Sequence, residues 1–177
     1  MTSSALRPPG TLWTIGHSNC PIEDFIDLLR AQKITRVVDV RRFPGSRKNP
    51  QFNPTELEHA LALSGIGFTP LPELGGRRAA RPDSPHTAWR NEAFRGYADY
   101  MDTPEFAAAA ARLAGLARED RAAVMCAEGV WWRCHRSMIA DHFKAHGWTV
   151  LHIMGPGEPR EHPYTAPARV EEGKLRY

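Results

Sequence analysis

Short runs of β-favouring residues alternate with stretches whose apolar residues recur at helical spacing, and this alternation constrains the fold more than any other feature. The predicted strands lie at residues 11–15, 34–40, 67–71, 121–127 and 149–154. The stretches between them repeat apolar side chains at i, i+3, i+4 and i+7, which is typical of amphipathic helices. Strands that alternate with helices form parallel sheets with right-handed crossovers. We therefore predict an α/β fold with a mostly parallel sheet of about five strands and helices on both faces.

The chain of 177 residues is long enough for one domain with a substantial core, and it contains no internal repeat or linker. We expect a single domain over residues 1–177, with a loose lead-in at 1–10 and an irregular tail at 155–177. Three cysteines do not suggest a secreted disulfide scaffold, and no window approaches the roughly 20 apolar residues of a membrane span. These features predict a cytoplasmic protein without a membrane partner. The sequence leaves the oligomeric state open.

The loops that follow the predicted strands carry far more arginine and lysine than acidic residues, although the net charge of the whole chain is only +3. Ligands of open parallel sheets bind beyond the carboxyl ends of the strands. These loops should therefore meet in one basic site at that edge of the sheet. The predicted substrate-binding residues are Ser18, Arg41, Arg42, Ser46, Gly75, Gly76, Arg77, Trp131, Trp132, Arg133 and Arg136.

Residues 122–143 concentrate reactive side chains and are predicted as strand, loop and helix, with the chemistry in the loop. Glu128 suits a general acid or base, or a carboxylate that stabilises a cationic sugar-like transition state. It could equally form a structural ion pair with Arg133 or Arg136. The catalytic candidates at this edge are Glu128, His17, Asp39, Cys126, Cys134 and His135. For Asp39, at the end of a buried strand, orienting His17 or Arg41 is the favoured role.

Cys126 and Cys134 lie eight residues apart and allow several interpretations. A thiolate beside Arg133, Arg136 and a helix N-terminus would have a lowered pKa and be a better nucleophile. The two cysteines could instead be a redox pair, or bind a metal with His17 or His135, although the spacing is not that of a zinc knuckle. Cys126 could also be a small buried core residue. We predict no metal and no cofactor.

Trp131 and Trp132 are adjacent in the same loop, so they cannot both point inward. One of them should face the site or the solvent, where an indole can stack on a nucleic-acid base. Enzymes that act on a base draw it out of the stack into such a pocket. The alternative is that one tryptophan packs beneath the loop.

Four separated motifs resemble the family catalogued as domain of unknown function 488. They are Thr14-Ile15-Gly16-His17-Ser18, Asp39-Val40-Arg41 with Pro44 and Ser46, Glu73-Leu74-Gly75-Gly76, and Cys126-Ala127-Glu128 followed by Cys134-His135-Arg136. They occur in order over residues 14–136. The resemblance implies a compact α/β domain and implies no particular activity.

The basic edge and the tryptophans favour an enzyme that acts on a nucleic-acid base or a nucleotide, by base excision or base modification. The partner would be a nucleic acid or nucleotide. One alternative is a nucleic-acid-binding module without catalysis. Another is a metal-binding or thiol-redox protein that uses Cys126, Cys134 and His17.

Overall fold

A computed structural model describes residues 9–177 and contains a six-stranded sheet with helices on both faces. The strands of this sheet are β1 (Thr11–Gly16), β2 (Arg36–Asp39), β3 (Gly67–Pro70), β4 (Ala122–Cys126), β5 (Thr149–Ile153) and β6 (Arg160–Glu161). The helices are α1 (Ile22–Ala31), α2 (Pro54–Leu63), α3 (Glu92–Met101), α4 (Pro104–Glu119) and α5 (Arg136–Ala145). The predicted α/β class is confirmed. The predicted lead-in at residues 1–10 lies mostly outside the described residues.

The strand order β3-β2-β4-β1-β5-β6 places β4 at the centre of the sheet, between β1 and β2. All pairs are parallel except β5 with β6, which are antiparallel. Every residue of β4 is buried, as expected for a strand that is covered on both faces. The loop that follows this central strand therefore emerges in the middle of the carboxyl edge.

One hydrophobic core lies on each face of the sheet. Phe25 and Leu29 of α1 pack with Leu57 and Leu61 of α2 against one face. Helices α3, α4 and α5 cover the other face around Leu113, together with residues such as Tyr97 and Ile139. No helix in residues 9–177 is long and apolar enough to cross a membrane.

The tail at residues 155–177 is more ordered than predicted. Strand β6 pairs with β5 and makes the sheet six-stranded, and β7 (Arg169–Glu171) and β8 (Lys174–Arg176) form a separate hairpin. The hairpin turns through Glu172 and Gly173, which both have positive φ, as a type I′ turn requires. These strands are only two or three residues long and their anchors lie elsewhere in the chain, so the sequence pattern indicates little more than an irregular tail.

Asp141 of α5 is the buried anchor that holds the tail. Its carboxylate is fully buried and accepts hydrogen bonds from the backbone N–H and hydroxyl of Thr165, from the Tyr177 hydroxyl and from His162 Nε2. Burial and the neighbouring Asp141 charge raise the pKa of Tyr177. These contacts join three separated points of the tail to one helix, so the hydrophobic pattern of the tail does not reveal them.

Candidate functional site

A cavity of about 480 Å³ opens at the carboxyl edge, between the loops that follow β2, β3 and β4 and the start of α3. A volume of several hundred Å³ is usual for a small-molecule site. Ten of the predicted site residues line it, namely Arg41, Arg42, Gly76, Arg77, Cys126, Glu128, Trp132, Arg133, Cys134 and His135. The structure thus places most of the predicted site around one space.

The other predicted site residues lie near this edge of the sheet but do not line the cavity in the described part of the chain. They are His17, Ser18, Asp39, Ser46, Gly75, Trp131 and Arg136. Ser46 has a local structural role, because its hydroxyl accepts from Asn49 N–H and its own N–H donates to Asn53. Gly75 allows close packing, since a Cβ there would meet the backbone of Arg42.

Two glycines bring neighbouring segments close to the loop that connects β4 and α5. The pairing of β1 with β4 continues past the strands, where His17 N–H and Ser18 N–H donate to the carbonyls of Cys126 and Ala127. A Cβ at Gly16 would collide with the carbonyl of Glu128. A Cβ at Gly76 would lie 2.9 Å from His135 Nδ1, so a glycine also lets the loop after β3 approach the cavity wall.

Cys126, Cys134 and His135 form a connected group at the base of the cavity, which we call the dithiol group. The Cys134 thiol donates to Cys126 Sγ across 3.0 Å, and Cys134 Sγ lies 3.4 Å from His135 Nδ1. The backbone N–H of Arg136, in the first turn of α5, donates to Cys134 Sγ. Burial lowers the pKa of His135 to about 4, so its imidazole is neutral near pH 7.

The two thiols of this group differ in acidity because of their hydrogen bond. The proton donated by Cys134 lowers the pKa of Cys126, and the positive charge of Arg136 lowers it further. The same hydrogen bond raises the pKa of Cys134 well above its ordinary value, with burial acting in the same direction. Cys126 is therefore the more acidic thiol of the pair, and Cys134 is the less acidic one.

Arg136 is fully buried beneath the loop, and its guanidinium is incompletely bonded. Nη2 donates to the carbonyl of Glu128 at 3.3 Å, whereas Nε and Nη1 find no hydrogen bond partner within residues 9–177. A buried guanidinium normally has a full set of acceptors or a neighbouring anion. The charge of Arg136 lowers the pKa of the Cys126 thiol, so negative charge on that sulfur would compensate the guanidinium.

Asp39 orients Arg41, which is the role that the sequence favoured for it. Arg41 donates from Nε and Nη2 to the two carboxylate oxygens at 2.9 and 2.8 Å. Its other donors reach the carbonyls of Pro44 and Phe52, and Nη1 lies 3.4 Å from His17 Nε2. His17 stacks on Phe52, and burial lowers its pKa. This group supports the wall of the cavity, and the Asp39 carboxylate neutralises the charge of Arg41.

The adjacent tryptophans point to opposite sides of their loop. Trp131 packs beneath it, stacked on the ring of His152 with centroids 4.7 Å apart and planes within 3°. Trp132 is 50% exposed and lines the cavity. The expectation that one indole faces the site while its neighbour packs inward agrees with this arrangement.

The sequence interpretation missed a buried polar chain on the inner side of the same loop. Thr14 Oγ1 lies 2.5 Å from His152 Nδ1, His152 Nε2 lies 2.9 Å from His162 Nδ1, and His162 Nε2 lies 2.6 Å from Asp141. Burial lowers the pKa of His152 to about 2, so the ring is neutral. The apolar surroundings of Asp141 and His152 in the sequence gave a signal that they were buried polar residues.

The cavity is strongly basic and partly aromatic. Arg42, Arg77 and Arg133 are exposed around it. The guanidinium carbons of Arg42 and Arg77 lie 5.3 and 5.4 Å from the centroid of the Phe43 ring, which is 60% exposed. Glu128 supplies the one carboxylate among the lining residues, all of which lie in the described part of the chain. The cavity therefore suits an anionic ligand with a flat apolar part.

Glu128 does not form the structural ion pair that was the alternative to a catalytic role. Within residues 9–177, no ion pair joins its carboxylate to Arg133 or Arg136, and Arg136 contacts its backbone carbonyl instead. Glu128 is exposed because it lies where the loop passes over Gly16. Its side chain remains free to reach a ligand in the cavity.

Sequence reasoning missed several residues that line the cavity, namely Phe43, Asn91, Ala93, Phe94, Tyr97 and Ala127. Three of them lie in α3 and Asn91 is its N-cap, and this helix follows a long irregular segment. Asn91 caps this helix by accepting from the N–H groups of Ala93 and Phe94. The cap was readable from the sequence, but the position of the helix against the cavity depends on the path of residues 75–90.

The alternative of a metal site has no ligand set in the residues that the structure describes. No group of three or more His, Cys, Asp or Glu side chains there could hold a metal ion. The alternative of a thiol-redox protein remains open, because the sulfur atoms of Cys126 and Cys134 lie close enough to react with each other.

Fold and cavity together define an α/β protein with a basic, aromatic site at the carboxyl edge of its sheet. The chain belongs to the DUF488 family, a domain of unknown function, whose model matches residues 21–143. Three of the four motifs that indicated the resemblance lie within this match, and the motif at residues 14–18 precedes it. Comparison with curated proteins and with solved structures found no match.

Proposed function

We propose that the cavity binds an unpaired nucleic-acid base or a nucleotide, and that the protein is an enzyme that excises or modifies this base. The observation that carries the proposal is the joint lining of one cavity by the exposed Trp132, three exposed arginines and the Glu128 carboxylate. This combination offers separate groups for the base, the phosphates and the reaction.

Recognition follows from the chemistry of the lining residues. Trp132 and Phe43 present exposed aromatic faces, and stacking a base on such a face contributes about 1–3 kcal/mol. Arg42, Arg77 and Arg133 favour phosphate oxygens, which accept the paired N–H groups of a guanidinium. Arg41 adds little to the positive potential of the cavity, because its charge is paired with Asp39.

Catalysis would use Glu128 as the acid–base group or as the carboxylate beside a cationic sugar-like transition state. The neutral His135 can accept a proton, and Cys126, whose pKa is lowered, can act as a nucleophile toward an electrophilic ring carbon once it is deprotonated. The three groups line the same cavity. His17, which was a candidate for the same role, supports the wall instead of lining the cavity.

The first test measures binding of a short labelled single-stranded oligonucleotide. We expect Trp132→Ala to weaken binding about 5- to 100-fold, since it removes the stacking surface. Leu63→Ala, at an exposed residue of α2 on the opposite face, is the matched control and should leave affinity unchanged. Binding should also weaken as salt is raised, because arginine–phosphate contacts release counterions. No binding to DNA, RNA or free nucleotides would remove the proposal.

The second test screens oligonucleotides that carry modified bases for release or conversion of the base. Glu128→Gln should abolish turnover while it preserves binding, and Glu58→Gln, an exposed glutamate of α2, should affect neither. A parent protein that binds but converts no substrate in the screen would favour the alternative of a non-catalytic binding module.

A further inference from the structure

The dithiol group at the base of the cavity also has the parts for a second reaction, which does not depend on a bound base. Cys126 is 2% exposed and Cys134 is 6% exposed, yet both line the cavity. A small reagent that enters the cavity can reach the sulfur atoms, whereas a bulky disulfide such as oxidised glutathione is excluded by their burial. We propose that Cys126 and Cys134 form a peroxide-reactive site that reduces a small hydroperoxide and closes to an intramolecular disulfide.

Geometry favours this reaction because the two sulfur atoms are already in contact. They lie 3.0 Å apart, so a modest movement brings them to the bonding distance of about 2.05 Å. Cys134 begins the turn that leads into α5, and Cys126 ends the central strand. A bond between them would cross-link the two ends of the loop without moving either element far.

The charges around the pair distinguish a reacting sulfur from a resolving sulfur. Arg136 is fully buried with two nitrogen atoms unpartnered in residues 9–177, and it stabilises negative charge on Cys126. Cys134 carries the hydrogen of the shared bond and lies 3.4 Å from the neutral His135 Nδ1. Cys126 is therefore the nucleophile, and Cys134 can release its proton to His135 when it reacts.

The first step consumes one molecule of hydrogen peroxide. The Cys126 thiolate attacks one peroxide oxygen, the S–O bond forms, the O–O bond breaks, and hydroxide leaves. Cys126 becomes a sulfenic acid, so sulfur is oxidised by two electrons and the peroxide is reduced by two.

The second step closes the disulfide. Cys134 gives its proton to His135, and its sulfur attacks Cys126. The S–S bond forms, the S–O bond breaks, and the departing hydroxide takes the proton from His135 to become water. The site then needs an external thiol to return to its reduced form.

The test treats the full-length protein with hydrogen peroxide and digests it with trypsin after blocking the remaining thiols. Cleavage after Arg121, Arg133 and Arg136 separates the cysteines into peptides 122–133 and 134–136. We expect these peptides to be joined by a disulfide, with two of the three thiols lost and Cys20 still free. Dithiothreitol should restore both thiols.

Three variants assign the roles. Cys126→Ser should slow peroxide consumption by roughly ten-fold or more, because it removes the thiolate. Cys134→Ser should still react but stop at a sulfenic acid that dimedone traps on Cys126. Cys20→Ser, outside the group, should behave like the parent protein.

Several outcomes would overturn the inference: no cross-link between the two peptides, a disulfide that includes Cys20, or a sulfenic acid on Cys134 in Cys126→Ser at the parental rate. Faster oxidation by oxidised glutathione than by hydrogen peroxide would also overturn it. Circular dichroism of each variant confirms that the fold is retained, and the peptide map of the parent protein decides the question without any variant.

Discussion

Two polar clusters lie against helix α5, and they differ in how completely their hydrogen bonds are made. The Asp141 cluster consists of Thr14, Asp141, His152, His162, Thr165 and Tyr177. In it, the carboxylate accepts four hydrogen bonds and both rings use both nitrogen atoms. The dithiol group with Arg136 leaves His135 Nε2, Arg136 Nε and Arg136 Nη1 without partners within residues 9–177.

This difference separates structural stabilisation from chemistry. A buried polar network whose members are all bonded fixes a unique arrangement of the chain. Groups left without partners cost free energy, and they are tolerated where a ligand or a reaction uses them. The Asp141 cluster therefore holds the tail against the domain, and the dithiol group is kept reactive beside the cavity.

Loss of the Asp141 carboxylate should have the largest effect on stability. Asp141→Ala leaves His162, Thr165 and Tyr177 without their shared acceptor, so we expect a loss of about 3–5 kcal/mol in the free energy of unfolding. Asp27→Ala, at an exposed residue of α1, is the matched control. Urea unfolding measures both. A loss below about 1 kcal/mol would mean that the cluster does not anchor the tail.

The two adjacent tryptophans should also differ in how much each contributes to stability. Trp131→Ala removes the ring stacked on His152, so we expect a loss of about 2–3 kcal/mol in the free energy of unfolding. Trp132→Ala should change it by less than about 0.5 kcal/mol, because its side chain is half exposed. Equal losses in thermal or urea unfolding would contradict the assignment of one indole to structure and its neighbour to the cavity.

Strand β1 connects the two clusters, since Thr14 belongs to one and Gly16 supports the loop of the other. Gly16→Ala places a methyl group against the carbonyl of Glu128, so we expect a loss of about 1–2 kcal/mol. Gly115→Ala, in α4 with no atom within 4 Å of the added carbon, should instead stabilise the protein by about 0.5–1 kcal/mol. Calorimetry of the pair separates a steric collision from a general intolerance of alanine.

Acid should destabilise the protein through the buried histidines. Burial lowers the pKa of His142 to about 4, below the ordinary value of 6.5 that it has in the unfolded chain. As pH falls from 6.5 toward 4, the unfolded chain binds protons that the folded protein does not, so stability decreases across this window. His142→Gln should make this decrease shallower, and His59→Gln, at an exposed histidine, should not. Urea unfolding at several pH values measures the slope, and a steeper decrease in His142→Gln would contradict the assignment.

Most of the fold was predictable because local patterns determine it. β-branched runs located five strands to within two residues, and helical spacing placed the helices between them, since one side of each element must be buried. Ligands bind beyond the carboxyl ends of parallel strands, and this rule predicted a site at that edge of the sheet. The residues predicted there included Cys126, Cys134, Glu128, Arg42 and Arg77. The tail escaped prediction because the contacts that order it come from Asp141, far away in the sequence.

The sequence by itself determined the α/β class, the edge of the sheet at which the polar loops meet and the reactive residues present there. Tertiary structure alone decided how those residues are divided between cavity and support. It placed Trp132 at the cavity and Trp131 beneath the loop, and it paired Asp39 with Arg41. It also brought the sulfur atoms of Cys126 and Cys134 to within 3.0 Å of each other, close to the buried Arg136. Spacing along a chain specifies which loop a residue occupies, whereas the direction of its side chain depends on packing against residues distant in sequence.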